Sequence, residues 1–475
     1  MQAEPVAAPQ RGEKRAFWST VREAIAGAEG KDFTEGPIGQ ALLLLSIPMV
    51  LEVALESVFA VVNVFWVNRI GPGAVAVVGL TEAMLSVIYA LGMGLGIGAT
   101  ALISRRIGEK RPAEAARAAV QAIIVGIAVA VPIAVFGGLF APDLLRLMGA
   151  SPDIVAQGTG FTRIMFIGNG SILLLFLINA IFRGAGDAAV AMRCLWIANL
   201  ANLVLDPLLI FGIGPFPEMG VEGAAVATTV GRGLGVVYQF YRLAGTDRRF
   251  VIRRADLRVD LGVIRSLVRL STTGIFQIMI STTSWIGVLR VISSFGATAV
   301  AGYTVAIRVV LFGILPAWGL SNAAATMVGQ SLGAKKPERA EQAVWRAGLF
   351  NLYFLGALGL LFVVFAPGIV GIFATDPEVR RIAITALRVV AVGFPFYAYG
   401  MVLSNAFNGA GDTWTPTVLN VLCFWMWEIP LAYVLSRPLG MGPTGAFIAV
   451  AVAFSTMALL SAILFRRGRW KTKTV

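Results

Sequence analysis

The sequence predicts an all-α integral membrane fold: twelve transmembrane helices in two parallel-repeat six-helix lobes around a central cavity. Three observations carry this. The 475 residues are 57% hydrophobic and only 14% charged, outside the soluble range, and mean hydropathy is +0.80. Apolar runs of about 20 residues recur, each long enough to cross roughly 30 Å of hydrocarbon. Finally, the chain aligns with itself at a constant offset.

The first 36 residues are polar and mixed in charge and lack the apolar core of a cleavable signal peptide. Within them, Trp18 to Ala28 reads either as a short amphipathic helix on the membrane surface or as a disordered tail. Spans are expected near 41–67, 79–104, 117–140, 160–182, 190–213 and 221–245, and again near 264–294, 299–330, 343–366, 385–407, 415–436 and 443–465. The expected organisation is a tail over 1–36, a first lobe over 37–245, a linker over 246–262, a second lobe over 263–465 and a basic tail over 466–475. One set of loops collects Arg105, Arg106, Lys110, Arg111, Arg183, Arg193, Arg242, Arg258, Lys335, Lys336 and Arg339. The opposite loops carry Asp143, Asp153, Glu218, Glu222, Asp376 and Glu378. The positive-inside rule then makes both termini cytoplasmic. The net charge of +13 is a topology signal and a contact for anionic lipid, with no nucleic acid expected.

The internal match is gapless over a long stretch. "GEKRPAEAARAAVQA" from Gly108 pairs with "GAKKPERAEQAVWRA" from Gly333, and "FRGAGD" ending at Asp187 pairs with "FNGAGD" ending at Asp412, all 225 positions apart. Later, Met219 pairs with Met441 at an offset of 222. Each unit holds an even number of spans, so the copies share one orientation, with a cavity between them that alternates its opening.

Ionisable groups inside spans are costly and mark function or a partner. The first span carries Glu52, Glu56 and Asn63, which at about 100° per residue share one stripe. Two carboxylates a turn apart in low dielectric repel, which suits binding and release of a proton or cation. Hydrogen-bonded packing is the other reading of this face. The fifth span offers Asn199, Asn202 and Asp206 on one face, with Pro207 expected to loosen the helix, and the sixth adds Thr228. In the second half the polar candidates for a substrate cavity are Gln277, Arg290, Arg308 and Glu428; the two arginines are equally read as satisfied by helix-end carbonyls or an acidic partner. Histidine is absent and the two cysteines, Cys194 and Cys423, lie far apart, so no imidazole ligand or CxxC exists. "GMGLGIG" from Gly92 lies inside a span with no strand before it, which points to close helix packing. No catalytic constellation is present, so the chain is not expected to be an enzyme and no organic cofactor is expected.

The segments "LSIPMVLEVALESVFAVVNVFWVNRIGPGAVAVVGLTEAM", "ISRRIGEKRPAEA", "NAIFRGAGD", "NLVLDPLLIFG" and "GVEGAAVAT", with "YTVAIRVVLFGILPAWGLSNAAATMVGQSLGA" and "NAFNGAGDTWTPTVLN" in the second half, resemble the MATE (multidrug and toxic compound extrusion) family over roughly residues 37 to 465. Within it the chain is most similar to the bacterial DinF-related branch, which implies the inner membrane of a bacterium. The resemblance implies a cation-coupled antiporter exporting drug-like, often cationic amphiphiles in exchange for H⁺ or Na⁺, acting as a monomer. It also implies a cation site, possible for Na⁺, at Asn202, Asp206 and Thr228. Asn63 stands where that branch has an aspartate; either Glu56 substitutes for it or Asp206 alone carries coupling. The acidic pair of Na⁺-coupled NorM-like members is not evident on the seventh and tenth spans. A lipid-linked saccharide flippase on the same scaffold is the alternative, and it would call for a basic central cavity.

Overall fold

A computed structural model describes residues 11–28, 30–245 and 252–475. Residues 246–251 of the expected linker and residues 1–10 of the tail lie outside the described residues. Elsewhere the chain is helical, without strands among the described residues.

After helix α1 (Arg11–Ala26), the first unit runs α2 (Ile38–Asn68), α3 (Pro72–Gly108), α4 (Pro112–Leu139), α5 (Ala141–Leu147), α6 (Pro152–Ile167), α7 (Asn169–Ala185), α8 (Ala188–Phe211) and α9 (Val221–Ala244). The second runs α10 (Leu261–Ser293), α11 (Ala297–Gly333), α12 (Pro337–Phe373), α13 (Pro377–Val392), α14 (Phe394–Gly409), α15 (Trp414–Asn420), a π-helical stretch (Val421–Glu428), α16 (Ile429–Ser436) and α17 (Pro443–Arg466). Prolines at the first turns of α3, α4, α12 and α13 start these helices where their missing N–H costs nothing. The repeat is visible in the backbone itself: Lys110 and Lys335, 225 residues apart, both adopt φ 58° in the turn that follows the second span.

Among the described residues, ten helices are long and apolar enough to cross a membrane, or eleven if α13 and α14, bent by 57° at Gly393, form one span. The expected sixth span is the shortfall. Its helix, α9, forms over 24 residues, but Glu222, Arg232, Gln239, Arg242 and several glycines dilute its apolarity.

The first span of each unit crosses to the other lobe. On α2, Ile38, Leu42, Leu45 and Met49 are buried with Met327 and Val328 of α11 and Leu403 and Phe407 of α14. On α10, Leu267 and Leu270 are buried among Leu95, Leu102 and Ile178. The glycine-rich run on α3 explains how: a Cβ on Gly94 would strike Ile275 of α10, and one on its repeat mate Gly319 would strike the backbone of Val50 on α2. Close helix packing is therefore the function of "GMGLGIG".

The two lobes meet on the face that carries the C-terminal residues. There the ends of α3 and α11 cross so tightly that a Cβ on Gly108 would meet the Gln330 carbonyl, and one on Gly333 the Arg105 carbonyl. Arg105 also donates to the carbonyls of Lys473 (2.7 Å) and Ala410 (3.3 Å), and Lys473 pairs with Asp412 at 3.2 Å. The amphipathic stretch near Trp18 is the C-terminal part of α1, whose last carbonyls, those of Ile25 and Ala26, accept from Arg193. Residues 33–36 are held by Arg339, which donates to the carbonyls of Phe33, Glu35 and Gly36 at 2.7–3.1 Å. Partial burial pushes Asp32 up, but the Thr34 hydrogen bonds, Lys110 and Lys336 outweigh it and hold its carboxyl below the usual range. A depressed carboxyl stabilises the fold above its unfolded pKa, and that contribution is lost as pH falls through the folded one. Arg339→Ala removes several charge-assisted bonds and is expected to cost about 1 kcal/mol locally, read as faster proteolysis within residues 30–36 with unchanged thermal unfolding of the bundle.

Candidate ion and substrate sites

Three polar assemblies are built into the first lobe. In the first, Asn202 Nδ2 on α8 donates to Asp206 Oδ1 (3.2 Å) and to Thr228 Oγ1 of α9 (3.2 Å). Asp206 is 1% exposed, and its Oδ2 has no hydrogen-bond partner among the described residues. Helix α8 continues through Pro207 to Phe211, but Pro207 has no N–H to give the carbonyl of Leu203. A lone buried carboxylate with one amide donor is not compensated, so it holds a proton or needs a cation. Asp206, Thr228, the freed carbonyl and the Asn202 amide are hard oxygen donors suited to Na⁺ once that amide turns its oxygen inward. Asn63, on α2, is half-buried and makes no side-chain hydrogen bond among the described residues.

The second assembly centres on Glu52, 4% exposed. Its Oε1 accepts from Arg183 Nη1 of α7 (2.7 Å) and from Asn179 Nδ2 (3.0 Å). Gln239 of α9 in turn donates to Asn179 Oδ1 (2.7 Å) and to the Leu175 carbonyl (3.0 Å). Glu52 and Glu56 have separate partners: Arg183 pairs with the first, and Asn199 donates to Glu56 Oε2 at 2.9 Å. Arg183, which the sequence places with the basic loops, lies in the membrane-spanning bundle instead.

The third assembly was not singled out from the sequence. Arg232 of α9 donates to the Tyr89 hydroxyl at 3.2 Å, Tyr89 hydrogen-bonds Glu82, and Glu56 and Glu82 both lie within Coulomb range of the guanidinium. The available signal was spacing: Arg232 stands four residues after Thr228, and Arg183 four after Asn179, each on one helical face.

Between the lobes lies a cavity of about 420 Å³. Glu52, Glu56 and Arg183 line it from the first lobe, Gln277, Asn405 and Asn420 from the second, with Phe176, Trp318, Phe424, Met93, Met401 and Met457 supplying apolar area. Gln277 is 8% exposed and its Oε1 is unpartnered among the described residues. Arg290 and Arg308 are exposed and do not line this cavity; Arg290 lies in the last turn of α10, whereas Arg308 shares the face of α11 that carries the cavity residues Leu315 and Asn322. Glu428 does not line it either and faces a separate small pocket inside the second lobe.

The MatE family model matches residues 48–208 and again 274–434. This chain belongs to the MatE family. The two matched stretches are the two repeat units, so this MatE protein is a multi-pass membrane transporter with the two-lobe fold. It is 27% identical over 444 residues to "Probable multidrug resistance protein YoeA" of Bacillus subtilis, covering 92% of this chain and 95% of that protein. It is 25% identical to "FAD transporter" of Shewanella oneidensis, covering 83% and 88%. Among solved structures it superposes on "Outward-facing conformation of a multidrug resistance MATE family transporter of the MOP superfamily" with TM-score 0.87 at 26% identity, covering 93% of this chain and 98% of that one.

Proposed function

We propose that this MatE protein is a monomeric antiporter of the bacterial inner membrane that exports cationic amphiphiles by alternating access, in exchange for inward H⁺ or Na⁺. The observation that carries it is the charge of the central cavity: two carboxylates and one guanidinium line it, and that guanidinium is already paired with Glu52. An apolar, Met- and aromatic-rich wall with surplus negative charge attracts a lipophilic cation and accepts varied shapes. The Asp206 assembly in the same lobe is the coupling site, with Glu56 as the second carboxylate on the path. With both tails on the cytoplasmic side, the tight crossing of α3 and α11 closes that side. A saccharide flippase or a flavin-nucleotide carrier handles phosphates and needs unpaired cations in its cavity, which this lining lacks.

In proteoliposomes, an imposed proton or Na⁺ gradient is expected to drive uphill movement of a lipophilic cation such as ethidium and leave FAD where it is. Gradient-driven FAD movement with no ethidium movement would overturn the assignment.

A further inference from the structure

Glu428 is 4% exposed, and no hydrogen bond or ion pair reaches its carboxyl among the described residues. It faces a pocket of about 30 Å³ enclosed by α10, α11, α13, α14 and α17. The titratable groups lining that pocket from the other elements are the phenols of Tyr303 and Tyr397; no basic side chain lines it. Sequence offset explains its origin. The helix ends set the register: Met219 and Gly220 donate to the carbonyls of Leu209 and Ile210, and Met441 and Gly442 to those of Leu435 and Ser436, so these two helices pair at an offset of 226 and Glu428 stands for Asn202. Past the loop the offset is 222 and Val450 stands for Thr228, while at the earlier offset of 225 Val288 stands for Asn63, Ile307 for Glu82 and Ile314 for Tyr89. All four of these aliphatic residues line the Glu428 pocket. The pocket is thus the repeat image of the first-lobe polar region, with an acid where Asn202 stands, Ala432 where Asp206 stands, and aliphatic side chains in place of its other polar groups.

A carboxylate in such a place is uncompensated, and a metal ion would find one carboxyl and two phenols in a space for a single water-sized particle. The neutral acid fits. The acid also ends a π-helical stretch inside an otherwise α-helical run, a local rewinding that recurs at working sites.

We propose that Glu428 is a second exchangeable protonation site, one per lobe, that takes H⁺ and excludes Na⁺. The carboxylate oxygen gains H⁺ when the pocket meets water in one conformation, and the acid returns it in the other. This extends the coupling reading to the second lobe, but its test stands apart from transport.

The full-length protein, reconstituted in lipid, is titrated with pH by infrared difference spectroscopy of the protonated-carboxyl C=O stretch. The expected result is a wild-type band lost on alkalinisation, absent in Glu428→Gln, displaced in Glu428→Asp and retained in Asp206→Asn. Added Na⁺ leaves it unchanged. Spectra of wild type and Glu428→Gln that superimpose at every pH overturn the proposal, as does a Glu428 band that Na⁺ removes. If Glu428→Gln does not fold, the Glu428→Asp displacement decides alone. If ethidium export proves independent of Asp206, the coupling reading fails while the Glu428 band remains measurable.

Discussion

Arg183→Leu is expected to lower stability by about 3 kcal/mol, near the low end of the range for breaking a buried ion pair from one side. The pair at 2.7 Å is 18% and 6% exposed on its two side chains. Losing the guanidinium leaves Glu52 with the Asn179 amide alone, while its Oε2 is already without a partner among the described residues. The cost is the stranded charge, so removing both partners is expected to be milder than removing one. In thermal unfolding of the purified protein, Arg183→Leu should unfold well below wild type, and Glu52→Gln with Arg183→Leu should recover much of the difference. Additive losses would mean the two side chains act independently.

Asp206→Asn is expected to abolish gradient-driven export while the protein stays folded. The amide nearly matches the carboxyl in shape and still offers an oxygen to Asn202 Nδ2, so the bond at 3.2 Å has a counterpart. What disappears is the group that changes charge. A transported ion shifts a conformational equilibrium only through its different affinity for the two states, and an amide binds no proton. Ethidium still binds, because the cavity lining does not include Asp206, so equilibrium binding should stay near wild type while uphill transport falls to the level of empty vesicles. Retained uphill transport would move the coupling role to Glu56 or Glu428.

The legible features were those carried by short-range spacing. Span positions followed from apolar runs, and the parallel repeat from a constant offset that runs through loops as well as helices. The Asn202–Asp206–Thr228 assembly was readable because Asn202 and Asp206 stand one helical turn apart, the sixth span offers Thr228, and the family resemblance groups the three. What stayed hidden depends on how helices rotate against one another. Arg183 looked like a loop residue until α7 turned it toward Glu52. Glu56 and Glu52 share a face on α2, yet neighbouring helices give each its own partner. Arg290 and Arg308 read as cavity candidates because the apolar runs around them are continuous, but both are exposed and neither lines the cavity. Glu428 looked like a cavity residue; the rewound turn in α15–α16 and the packing of five helices place it elsewhere.

The crossing of Gly108 over Gln330 and Gly333 over Arg105 also bears on genetics. At both points the obstacle to a side chain is backbone, so no substitution at the neighbouring position can make room for a valine introduced there. Lesions at these two glycines should therefore have no local suppressors. Selection for recovered drug resistance is expected to return true revertants, or distant changes that weaken the opposite face until the two conformations are again balanced.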